Sequence, residues 1–183
     1  MRWFILLLML SPVICMGQAV PNFSLTNVTT GQYVALTDFS SRAGIAIIFT
    51  STDCAYDDYY LKRVQALADA TKLTIAFLLI NANSDESMDL MKKYIEQHEI
   101  TIPYLWDIEQ KAMTALGAHK SPECFLLRSS GGKLTVAYKG AIDDSPQSAD
   151  GVKKAYLKEA IEKLTTKQKI EMQEARPVGC SIR

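Results

Sequence analysis

Two apolar runs constrain this chain more than any other feature. Ile45-Ala-Ile-Ile-Phe-Thr50 and Thr74-Ile-Ala-Phe-Leu-Leu-Ile80 show no alternation of polar and apolar positions, the pattern of strands buried on both faces of a sheet. Between them the apolar spacing becomes that of a helix, with Tyr60, Leu61, Val64, Leu67 and Ala68 on one side. Two buried strands joined through a helix must run parallel, by a right-handed crossover. The chain is therefore of the α/β class.

The remaining elements are read around this unit. Phe23-Ser-Leu-Thr and Gln32-Tyr-Val-Ala-Leu36 flank Asn27 to Gly31 as an N-terminal hairpin. Asn83, with Glu86 three residues on, reads as a helix start, and Met88, Met91, Tyr94 and Ile95 supply the apolar stripe. A short helix is expected over Glu109 to Leu116, ended by Gly117. Cys124 to Arg128 and Leu134 to Tyr138 are joined by Ser-Ser-Gly-Gly, a second hairpin. A last helix turns Val152, Tyr156, Leu157, Ala160, Ile161 and Leu164 inward.

The two ends stand apart from this domain. Met1-Arg2 is a short positive start, Trp3 to Leu10 is uninterruptedly apolar, Ser11-Pro12 breaks the run, and small residues follow at Gly17 and Ala19. Residues 1–17 are thus expected to be a signal peptide, too short before Pro12 to span a bilayer. Cleavage after Gly17, with Cys15 at the −3 position, leaves Gln18 first; cleavage after Ala19 is nearly as good. A lipoprotein anchored through Cys15 is the competing reading, and against it Ile14 stands where a small residue is expected. Residues 18–166 are expected to form the domain and 167–183 a largely polar tail. After cleavage no stable membrane insertion is expected, and the protein is placed across the inner membrane, in the periplasm.

Charge and cysteine count narrow the chemistry. Lys plus Arg equals Asp plus Glu at 20 each, whereas a nucleic-acid binder normally carries a basic surplus. The lysines at 153, 154, 158, 163, 167 and 169 are offset by Glu159, Glu162 and Glu171, a solvated helix face. His98 and His119 make no spaced metal pair, so neither metal nor organic cofactor is expected. Without Cys15 the chain keeps Cys54, Cys124 and Cys180. In an oxidising compartment that allows one intramolecular disulfide and leaves one thiol over.

The order β-α-β-α-β-β-α behind a hairpin is the arrangement of a thioredoxin-like fold, a central mixed sheet flanked by helices. Five segments carry a resemblance that covers nearly the whole chain after the signal peptide. They are Phe49-Thr-Ser-Thr-Asp-Cys-Ala-Tyr56, Ile102-Pro-Tyr-Leu-Trp-Asp107, Ser121-Pro-Glu-Cys-Phe-Leu126, Tyr138-Lys-Gly-Ala-Ile-Asp-Asp144 and Arg176-Pro-Val-Gly-Cys-Ser-Ile182. In order and spacing they resemble secreted redoxin-domain proteins related to alkyl hydroperoxide reductase and thiol-specific antioxidant, and the tail is the most specific match. The resemblance implies thiol redox chemistry at Cys54, with protein or small-molecule thiols and disulfides as partners, or a peroxide reduced with an external thiol. It also implies that Pro122 is cis, so that the Ser121 backbone faces Cys54 and can pair with an extended peptide.

Several positions depart from the family pattern. Ser51 stands where two-cysteine relatives have the first cysteine of a pair, and Ala55 where a proline often follows. Of the peroxidase pattern Ser51 is present, but Ile47 replaces the expected proline, and neither Arg63 nor Arg128 stands at a matching place. Ser51→Cys is expected to create a Cys-x-x-Cys pair at the start of the helix.

The residues themselves leave the reactivity of Cys54 open. A helix N-terminus favours its thiolate, while Asp53, Asp57 and Asp58 place negative charge within one turn and oppose it. Tyr56 and Tyr59 are candidates for an apolar lip, and Tyr60 belongs to the helix core. Cys124 reads as a small core residue in a strand. That leaves Cys54 and Cys180 as the pair able to form the one disulfide: Val178, Gly179 and Ile182 read as an anchor for the tail, although fraying is the ordinary fate of a last segment. A reversible bond gives Cys180 the resolving role; a permanent one makes Cys54 structural, in a non-catalytic thioredoxin-fold binding module that holds its partner near Pro122 and Tyr56.

Overall fold

A computed structural model describes residues 19–183, so the expected signal peptide and Cys15 fall outside the described residues. The N-terminal hairpin forms as β1 (Ser24–Asn27) and β2 (Tyr33–Ala35). Its turn is closed by Asn27, whose side chain accepts from the backbone N–H of Thr29 and Thr30. The first long apolar run becomes β3 (Gly44–Phe49), buried at every position, and the second becomes β4 (Ile75–Asn81), parallel to it. Helix α1 (Ala55–Thr71) makes the crossover between them.

Beyond β4 come α2 (Met88–Gln97), β5 (Tyr104–Trp106) and α3 (Lys111–Leu116). Gly117 caps α3 in the left-handed region at φ 71°, where a side chain is disfavoured. A two-residue strand, β6 (Lys120–Ser121), precedes the second hairpin, β7 (Glu123–Ser130) and β8 (Lys133–Gly140). Gly131 and Gly132 both have positive φ, the requirement of the tight turn that matches strand twist. Helix α4 (Tyr156–Thr165) closes the domain, and the tail adds β9 (Glu174–Ala175) and β10 (Cys180–Ser181).

The main sheet has the order β2-β1-β5-β4-β3-β7-β8-β9, with β3, β4 and β5 parallel and β7 antiparallel to β3. Alternate residues of the central strands serve two cores. Ala46, Ile48, Phe77, Leu79 and Leu126 face α1, α2 and α4; Ile45, Ile47, Phe49, Ile80 and Phe125 face α3 and Leu36. This is the mixed sheet flanked by helices that the sequence predicts.

Helix α1 starts at Ala55, directly after Cys54 as the sequence reading has it and five residues ahead of the apolar stripe, because its first turn is polar and carries the site. Three boundaries differ from the sequence reading. Helix α2 starts at Met88 with Ser87 as its cap, accepting from the Leu90 N–H, so Asn83 and Glu86 do not begin a helix. The segment around Tyr104 is a strand, too short to show a period. Val152 precedes α4 and lies outside it.

Candidate active site

Cys54 is positioned by the end of β3. Thr50 and Ser51 follow the strand and stay buried, the chain turns at Thr52 and Asp53, and Cys54 becomes the N-cap of α1 with extended backbone, 4% exposed. The turn is held by Glu86, a buried side chain that accepts from Ser51 Oγ, from Thr52 N–H at 2.7 Å and Oγ1 at 2.6 Å, and from Asn81 Nδ2 at 2.8 Å. Such a set fixes the approach of the backbone to the cysteine, since each lost partner leaves a buried polar group unmatched.

The sulfur of Cys54 lies 3.2 Å from the carbonyl oxygen of Ser121, and the Ser121–Pro122 peptide bond is cis. Cys54 and Cys180 form a disulfide with a Cα–Cα distance of 6.1 Å and a sequence separation of 126. Cys180 arrives on β10, which pairs antiparallel with β6 so that Cys180 stands opposite Ser121. Ile182 N–H donates to the His119 carbonyl, and the Arg183 N–H donates to Asn83 Oδ1. The Arg183 guanidinium pairs with Asp85 at 2.8 Å and Asp53 at 3.2 Å.

Asp57, one turn into α1, is the second chemical group of the site. It is buried and accepts from Ser121 Oγ. Burial pushes its carboxyl up to about 8, against hydrogen bonds from Ser121, Thr50 and the Ser51 backbone that favour the ionised form. The expected crowd of three negative charges is therefore corrected. Burial holds Asp57 toward its neutral form, Asp53 is paired with Arg183, and Asp58 accepts from Tyr94 Oη at 2.8 Å with His98 at 3.7 Å.

The register of Ser51 is corrected as well. Ser51 lies three residues ahead of the N-cap with its hydroxyl committed to Glu86, and not at the helix start. The residue one turn on from Cys54 along the helix is Asp57. Of the tyrosines, Tyr56 is half-buried and meets the exposed Tyr59 edge-on with ring centroids 6.5 Å apart, while Tyr60 is in the core. Cys124 is a free, buried thiol that burial pushes upward.

The peroxidase positions lie elsewhere. Ile47 is wholly buried in β3, Arg63 binds Asp143 and covers the Tyr60 ring, and Arg128 pairs with Gly44 at the end of β3 remote from Cys54. Sequence reasoning missed Glu86 as a site residue and Arg183 altogether. Asp57 was legible as a charge within one turn of Cys54; its burial against Ser121 was not.

A helix-capping cysteine facing the residue before a cis-proline, on this sheet, defines a thioredoxin-like protein with a cysteine pair at bonding distance. The chain belongs to the AhpC/TSA family, whose model matches residues 16–136. Cys180 lies beyond the matched stretch. No curated protein sequence matches the chain. Among solved structures, an uncharacterized conserved protein from Geobacillus kaustophilus is similar, with a TM-score of 0.82 at 28% identity over 91% of this chain and 90% of its own. A hypothetical protein from Sinorhizobium meliloti gives a TM-score of 0.78 at 23% identity, over 92% and 94%. A candidate thiol:disulfide interchange protein from Chlorobium tepidum gives 0.62 at 17% identity, over 82% and 95%. The last two show the shared fold. Among the described residues no helix is long and apolar enough to cross a membrane.

Proposed function

We propose that the chain is an exported thiol–disulfide exchange protein, with residues 1–17 as its removed leader, 18–166 as the redox domain and 167–183 as a working tail. Cys54 is the attacking sulfur and Cys180 the resolving one. One observation carries this reading: Cys180 is bonded to Cys54 while its backbone is paired to Ser121, the placement an extended substrate needs. The Cys54 thiolate attacks a partner disulfide, forming a mixed disulfide and releasing one partner thiolate. The Cys180 thiolate then attacks Cys54, the mixed disulfide breaks, and the second partner thiol leaves. Two electrons pass from the cysteine pair to the partner, and an external dithiol restores them. Peroxide reduction draws less support, because Ile47, Arg63 and Arg128 serve the core or the far surface.

The burial of Cys54 favours a second reading, a binding module whose disulfide is permanent. The two are separated by reducing the folded protein with a dithiol and following Cys54 alkylation across pH 5–9 (with ~8.5 as the free-thiol reference). Exchange requires ready reduction and a thiol pKa below that reference. A bond that resists reduction in the folded protein, or a pKa at or above the reference without disulfide turnover, refutes exchange.

A further inference from the structure

The tail does more than deliver a sulfur. It runs extended along β6 and makes contacts at every position from Gly179 to Arg183; the track it follows is the groove. A Cβ added at Gly179 would stand 2.2 Å from the Ser121 carbonyl oxygen and 2.9 Å from Pro122 N, both backbone atoms. No side chain fits that position on the same path. Cys180 and Ser181 supply the strand pairing to Ser121 and Lys120. Ile182 packs on the apolar cluster of the β3 face that holds Phe49 and Phe125. Arg183, three residues after the cysteine, is caught between Asp53 and Asp85 on either side of the site.

We infer that residues 179–183 are a tethered stand-in for the substrate, and that the groove selects extended cysteine-containing segments of a partner protein with glycine before the cysteine and arginine or lysine three residues after it. The inference rests on the exchange reading, since the groove becomes free only when Cys54–Cys180 opens. The two selecting features are independent of the sulfur chemistry. The glycine requirement is steric, set by the backbone at Ser121 and Pro122. The cation requirement is electrostatic, set by two carboxylates that are exposed and therefore screened by salt.

The test uses the full chain carrying Cys180→Ser together with Gly179→Ala and Arg183→Glu, which frees Cys54 and takes away the close backbone fit and the ion pairs that hold the tail in its place. The probe is the peptide acetyl-Val-Gly-Cys-Ser-Ile-Arg-amide, its cysteine activated as a mixed disulfide with 2-thiopyridine. Cys54 thiolate attacks the peptide sulfur, the peptide becomes disulfide-bonded to Cys54, the pyridyl disulfide breaks, and pyridine-2-thione departs with the proton and is read by its absorbance. Replacing the peptide glycine by alanine is expected to slow the reaction about tenfold or more, as overlap with fixed backbone demands. Replacing its arginine by glutamate is expected to slow it by roughly tenfold at low salt, and by much less at high salt. Asp85→Asn is expected to shrink the rate ratio between the arginine and glutamate peptides at low salt, and the neutral bis(2-hydroxyethyl) disulfide, run on the same test chain without that substitution, reads exchange by itself. Equal rates for all peptides, with the small disulfide still reacting, overturn the groove selection and leave exchange standing. Failure with the small disulfide as well overturns both.

Discussion

Asp57 is a carboxylic acid sealed beside a disulfide, and its proton has a consequence for stability. Its folded value of about 8 lies above the ordinary 3.8, so between about pH 4 and pH 8 the folded protein keeps a proton that the unfolded chain releases. This contribution is fully present below the lower value and is lost as pH rises through the upper one. Asp57→Asn removes the titration and keeps a hydrogen-bonding group opposite Ser121. The variant is expected to melt higher than the parent at pH 8 by at least 2–4 °C, the shift a domain of this size shows per kcal/mol, and to show little difference at pH 4. Thermal melts of both proteins across that range check it; parallel curves would mean Asp57 is ionised in the fold.

At the scale of elements, α1 decides what a second helix cysteine would do. The N-cap side chain projects toward the backbone of the third helical residue, so Cys54 and position 57 share one turn while position 51 lies outside it. In a Cys180→Ser background, Asp57→Cys is expected to oxidise to a 54–57 disulfide and Ser51→Cys is not, as peptide mapping without reductant will show. The opposite result would put the first turn of α1 in the wrong place. The same helix shows what was legible in the sequence. The buried β3 and β4, the crossover and the hairpin with Gly131 and Gly132 could be read because burial on both faces, helical spacing and turn chemistry leave local marks. The start of α2 at Met88 and the burial of Asp57 could not, because Asp57 and Glu86 are buried polar residues whose partners, Ser121 and Ser51, come from elsewhere in the chain. Strand β5 has three residues, too few to carry a period, and β10 exists only through its partner β6.

For the whole molecule, the Cys54–Cys180 bond closes most of the domain into one loop. A separation of 126 residues restricts the unfolded chain by about 4–5 kcal/mol in the chain-entropy account. Cys180→Ser is expected to lower the melting temperature by roughly 10 °C, and reduction of the parent protein to do the same; calorimetry with and without dithiol is the check, and unchanged melting would show that the bond contributes nothing to the fold. The tail also passes the border of the sheet on its way to the site. Strand β9 pairs with β8 only at Lys139 and Gly140, and β2, at the opposite border, has three residues. Both outermost strands are thus short, as edge strands in soluble proteins commonly are. Among the described residues, the outer edge of β8 from Lys133 to Tyr138 is met by no strand beyond the isolated Ala19–Thr135 bridge, so the redox tail screens only the last two residues of that edge on its way to the site.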